Sequence, residues 1–156
     1  MFMAQAQGSR ANFTGNQLQE FIDRCLVSKG YQRVAWRQFD PGRHLGQAIF
    51  AREFPLCKSI YGTDIRSDFV LFHPDKHPDC LVIEAKWQEK AGSVDEKFPY
   101  LVANIRERYP HSTIIVLDGG GYKPRAGAWL RKQVGGKLVK VMSMSEFQKW
   151  SNSEVL

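Results

Sequence analysis

Along the chain, stretches with an apolar residue every three to four positions alternate with short continuous apolar runs. The segment "GNQLQEFIDRCLVSKGY" carries Leu18, Phe21, Ile22, Cys25 and Leu26 at helical spacing. Asn16 is placed to cap that helix and Gly30 to end it. "YQRVAWRQF" alternates as a half-buried strand does. "LGQAIFAREF" fits a short helix or a strand, and "KSIYG" the end of a strand. Two apolar runs follow, Asp68 to Phe72 and Leu81 to Trp87, joined by "HPDKHPD", a stretch rich in turn formers and short enough for an antiparallel hairpin.

In "GSVDEKFPYLVANIRERY", Val94, Phe98, Leu101, Val102, Ile105 and Tyr109 recur at helical intervals, with Ser93 and Glu96 spaced as a capping box. Pro99 conflicts with a helix that starts at Ser93; it either kinks that helix or marks its true first turn. "STIIVLD" has the continuous apolarity of a central strand, "AGAWLRKQV" is helical, "KLVKVM" is a strand, and Ser143 with Glu146 caps a last helix, "SEFQKW". Helices thus alternate with strands, which predicts an α/β domain with a mixed sheet.

The 156 residues suit one domain, able to bury about two-thirds of its unfolded surface. We expect a loose N-terminal tail over 1–13 and a folded domain over 14–156. Hydrophobic residues make up 43% of the chain, which is enough for a core. The net charge of +6 suits a polyanionic partner. Cys25, Cys57 and Cys80 form no CxxC pair and are odd in number, which argues against a disulfide framework or zinc knuckle and for the cytoplasm. No apolar run approaches the ~18 residues of a membrane span, and the first residues lack the apolar core of a secretory signal.

The run "LVIEAKW" sets a question, because it places Glu84 and Lys86 inside the most hydrophobic stretch of the chain. Side chains alternate along a strand. Glu84, Lys86 and Gln88 therefore share one face, about 6.5–7 Å apart in succession, while Leu81, Ile83, Ala85 and Trp87 face a core. The charges are expected to line a polar face rather than to be buried. The hairpin brings Asp68 alongside Glu84, where two carboxylates repel unless a cation lies between them. Magnesium takes such a site, with one or two carboxylates and the rest water and phosphate. Lys86 beside it would stabilise charge on phosphate or help to activate a water. The plain alternative is an edge-strand Glu–Lys pair next to a structural Asp, since ExK alone occurs in most proteins.

"RSDFVLFHPDKHPDCLVIEAKW", with "IYG" before it and "GSVDEKFPYLV" after, resembles the core of the PD-(D/E)XK nuclease superfamily in its restriction-type branch. The resemblance extends from about Asn16 to Val134. It implies a single restriction-endonuclease-like domain with a central mixed β-sheet flanked by helices. It also implies metal held by Asp68 and Glu84, with Lys86 assisting hydrolysis. Ser67 stands where that pattern often has Pro. The metal-supporting Glu of the superfamily's first helix falls on Gln19, with Glu20 one place later, and the choice between them is open. Gln88 extends the active face. Ser93 and Lys97 correspond to residues that restriction-type relatives place near the scissile phosphate, although Ser93 is equally a plain helix cap.

The glycine run in "LDGGGYKPRAG" lacks the GK[ST] of a phosphate loop, and we read it as a flexible loop after a strand. Lys123 and Arg125 in it would touch DNA backbone or simply be solvated. His73 and His77 read as turn residues, and neither they nor His44 and His111 have ligand-type spacing. The expectation is a Mg²⁺-dependent DNA endonuclease, with Mn²⁺ able to substitute, acting on double-stranded or branched DNA as a homodimer. Its role would be that of a type II restriction enzyme. Alternatives on the same fold are a phage or homing endonuclease and a Holliday junction resolvase; the alternative of another class is a non-catalytic DNA-binding module.

Overall fold

The computed structural model describes residues 2–156, with side chains from Gly15 onward. The elements are α1 (Phe2–Ser28), β1 (Gln32–Arg33), β2 (Ile49–Lys58), β3 (Asp64–His73), β4 (His77–Trp87), α2 (Phe98–Glu107), β5 (Ser112–Asp118), α3 (Pro124–Lys132), β6 (Leu138–Met142) and α4 (Met144–Ser151). Helix α1 continues past Asn16 instead of starting there, and the tail expected over 1–13 falls on residues whose side chains lie outside the described ones. Its end is as expected: Gly30 sits at φ +92°, Tyr31 N–H bonds to Leu26 O, and Gly30 N–H bonds to Val27 O, the paired bonds of a Schellman motif.

The six strands form one sheet in chain order, β1 to β6. β2, β3 and β4 are antiparallel neighbours, whereas β5 and β6 run parallel to β4 after crossovers through α2 and α3. This is the mixed sheet that the alternation of elements predicts, with helices on both faces. On one face Leu18, Ile22 and Leu26 of α1 and Phe147 of α4 pack on Phe69, Leu81, Ile83, Ile114 and Val116. On the other, Phe98, Leu101, Val102 and Ile105 of α2 and Leu130 of α3 pack on Val70, Val82, Ile115 and Leu117. Strand β5, covered on both faces, is continuously apolar for that reason. No helix among the described residues is long and apolar enough to cross a membrane.

Three local expectations change. The alternating stretch 31–39 pairs with β2 through Gln32 and Arg33 and the Val34 N–H, which bonds to Phe50 O; Trp36–Gln38 then form a 3-10 turn. Arg37 and Arg66 lie over the Trp36 ring at 4.9 and 5.4 Å, so the chain folds back there instead of extending the sheet. The box of Ser93 and Glu96 does not form: a 3-10 turn over Asp95–Lys97 leads into α2, whose first turn holds Pro99. The glycine loop is clamped, not loose. Gly121 N–H bonds to Gln88 O at 2.6 Å, and a Cβ on Gly119 or Gly121 would strike the backbone of Gln88–Lys90. The Ser143–Glu146 box is present and complete on α4.

Candidate active site at a fork in the sheet

Strands β3 and β4 pair from His73 and His77 at the turn to Phe69 and Ile83, and the next residues along the two strands are Asp68 and Glu84. There the pair separates. β3 continues with β2 as far as Asp64 opposite Lys58, while β4 continues with β5 as far as Trp87 opposite Asp118. At the point of separation the Asp68 carboxylate takes the place of a ladder partner, accepting the Ala85 N–H at 2.8 Å. The fork opens a cleft of about 570 Å³. Ile65 and Arg66 line one arm, Lys86 and Trp87 the other; Gln19 of α1 and Lys97, Tyr100 and Asn104 around α2 form the walls.

Glu84 lies at the base of this cleft and is only 3% exposed, because Val82 on the same face is already under α2. The polar face expected from alternation is therefore an edge of the second core, and the carboxyl is buried in it. Burial, with the Asp68 charge next in effect, pushes the Glu84 carboxyl up to about 8 against the pull of Lys86. Tyr109, itself buried, donates its hydroxyl to Glu84 Oε1 at 3.2 Å. Lys86 Nζ lies 3.5 Å from Glu84 Oε2 and 4.0 Å from Asp68 Oδ2. Burial disfavours the Lys86 cation, but the two carboxylates outweigh it and hold the ammonium above its ordinary range. Lys86 is thus a fixed positive charge.

The donor set fits a hard divalent cation. Burial and the Asp68 charge both disfavour the Glu84 anion, and Lys86 and the Tyr109 hydroxyl offset them only in part, which leaves room for a further positive charge. Among the described residues no group of three or more His, Cys, Asp or Glu side chains is arranged to hold a metal. The protein would supply two carboxylates and leave the other positions to water and phosphate oxygens, which is how magnesium is usually held.

The other sequence-predicted residues divide. Gln19 and Lys97 line the cleft. Gln19 accepts from Arg52 at 2.8 Å, and Glu20 is ion-paired to the same guanidinium at 2.8 Å, which holds its carboxyl below the ordinary range. Of the two, Gln19 is the one on the cleft wall. Gln88 is buried away from the cleft; its amide donates to Gly121 O and accepts the Asp95 N–H, tying β4 to the glycine loop. Ser93 is exposed in the connecting loop. His73 accepts the N–H groups of Asp75 and Lys76 within its turn, and His77 contacts Val155 O. Tyr109 escapes sequence reading, where it looks like one more apolar position of the helical pattern that begins at Val94. The available signal is that a buried tyrosine needs a partner for its hydroxyl.

A family model for a PD-(D/E)XK nuclease superfamily domain matches residues 10–155. The chain belongs to that superfamily of nucleases, whose members generally depend on a divalent metal. No curated protein and no solved structure matches it.

Proposed function

We propose that this member of the PD-(D/E)XK superfamily is a magnesium-dependent DNA endonuclease of the type II restriction kind, with Asp68, Glu84 and Lys86 as its catalytic residues. The observation that carries the reading is their convergence at the fork: both carboxylates lie within 4.0 Å of the Lys86 ammonium, and Glu84 and Lys86 line an open cleft. Asp68 and Glu84 would hold Mg²⁺, or Mn²⁺ in its place; when bound, the ion neutralises phosphate charge and makes water a better nucleophile. Glu84 must give up its proton for this, and Tyr109 and Lys86 both favour the anion. Lys86, held as a cation, donates to a non-bridging phosphate oxygen and stabilises the charge that develops there. A water oxygen forms the new bond to phosphorus, the bond to one sugar oxygen breaks, and the departing oxygen takes a proton.

A net charge of +6, with Arg66 and Lys97 on the cleft, suits a DNA backbone. Two copies related by a two-fold axis would cut both strands of a symmetric site. The free thiols of all three cysteines agree with a cytoplasmic enzyme. The test is cleavage of supercoiled plasmid and phage DNA with and without magnesium, beside Lys86→Ala. Discrete magnesium-dependent fragments that the variant fails to produce are expected. Tight, salt-sensitive binding without cleavage of these or of a four-way junction would replace this reading with a non-catalytic DNA-binding module.

A further inference from the structure

Tyr61 is the most conspicuous large side chain beside the cleft: it is 76% exposed, so it contributes little to the core. Its ring stacks on Tyr100 with centroids 5.2 Å apart and planes at 21°. Tyr100 lines the cleft, and Tyr61, exposed and outside that lining, stacks on it.

The turn that carries Tyr61 is held from several sides. Ser59, buried, accepts through Oγ from the N–H groups of Tyr61 and Thr63 and contacts Thr63 Oγ1 at 2.7 Å. Ser59 also exchanges backbone bonds with Thr63 and Gly62. Asn104, buried on α2, accepts the Ile60 N–H at 2.8 Å and so fastens the turn to the helix that bears Tyr100. A surface loop with one exposed aromatic needs no such fastening for stability. An aromatic face held rigidly beside cations is, however, what stacking of a nucleotide base requires.

From this arrangement we infer that Tyr61 and Tyr100 form a stacking platform for a nucleobase that has left its duplex, next to the phosphate at the fork. The inference rests on the nucleic-acid reading of the cleft and adds to it a requirement on the substrate. Lys97 lines the same cleft wall region as Tyr100 and suits a phosphate next to such a base; Arg66 also lines the cleft, with its guanidinium over Trp36 and bonded to Glu53 O. The same ring face would receive a base extruded from a duplex or a base of an unpaired strand. Binding and cleavage separate these two sources.

The experiment measures anisotropy of labelled mixed-sequence DNA, single-stranded and duplex, with Lys86→Ala protein to keep the DNA intact. Tyr61→Ala and Tyr61→Phe are placed in that background; at 76% exposure, neither threatens the fold. Loss of a stacked ring is expected to weaken binding about tenfold, with Phe restoring it. If the loss falls on single strands, the base belongs to an unpaired strand. If it falls on duplex, 2-aminopurine placed at successive positions must brighten on binding and fail to do so with Tyr61→Ala; this outcome identifies an extruded base. Affinity within twofold of the parent for both DNAs overturns the inference. So does a duplex loss without any 2-aminopurine signal, or a loss that Phe does not restore. Cleavage by the unmodified chain with magnesium is read separately, so failure of the nuclease reading is not mistaken for failure of the platform.

Discussion

The two faces of β4 present neighbouring residues with opposite fates. Ile83 and Glu84 are buried to almost the same degree, at 0% and 3% exposure. Ile83 lies among Phe69, Leu81 and Ile114 on the face covered by α1 and α4, where every square ångström removed from water is favourable. Glu84 lies under α2 beside Asp68, where burial disfavours its charge and raises its pKa to about 8. The first face is apolar from Leu81 to Trp87. The second is apolar only as far as Val82 and then gives way to Glu84 and Lys86. Burial alone therefore does not mark a stabilising residue. The partners found in the buried place decide, and at Glu84 they support a charge that the fold would be more stable without.

The sharpest break in this comparison is Glu84→Gln. DNA cleavage should fall on the order of 10³-fold, while the urea midpoint at pH 8 stays level or rises, because the amide has no charge to desolvate. A variant that cuts normally, or unfolds readily, would remove the contrast. Its mirror image is Ile83→Ala, which should cost about 2–5 kcal/mol of unfolding free energy and leave cleavage per folded molecule within a few-fold.

The next effect depends on pH. Glu84 binds its proton more tightly folded than unfolded, so in the absence of divalent ions the stabilisation from the protonated acid is complete below about pH 4.5 and is lost as pH rises to about 8. The loss should be a few kcal/mol at most, and Glu84→Gln should flatten it. Added Mg²⁺ should raise the melting temperature clearly at pH 8 and hardly at pH 5, where protons compete for the same oxygen. Thermal melts across that range with and without the ion decide it. The smallest effect is expected for Tyr109→Phe, which removes the hydroxyl donated to Glu84 Oε1. The magnesium requirement should rise about tenfold and the pH–rate profile should move to higher pH, since the carboxylate loses a donor that favours its charged form. A change in rate with neither shift would give Tyr109 a packing role alone.

Much of this was legible in the chain itself. Period-two alternation placed Glu84 and Lys86 on one side of a strand and Ile83 on the other, and the turn-rich "HPDKHPD" brought Asp68 to Glu84. The capping box of α4 formed as its residues require, and Arg131, which also pairs with the Glu146 carboxylate at 2.9 Å, leaves both bonds of the box in place. The same pattern at Ser93 failed because Asp95 there is bonded to Gln88 through its N–H and to Lys123 through its carboxylate. Those distant partners draw the segment across the glycine loop before α2 can begin.

What the sequence determined by itself is the kind and order of most elements and which charged side chains share a face. These follow from residues within two to four positions of one another, whose relation any strand or helix preserves. Only the tertiary structure decided that β3 leaves β4 at Asp68, that Glu84 is the buried carboxyl, and that Tyr109 and Tyr100 meet partners 25 and about 40 positions away. Those outcomes depend on which surfaces α2 and the neighbouring strands cover, and such contacts between distant parts of the chain leave no local period to read.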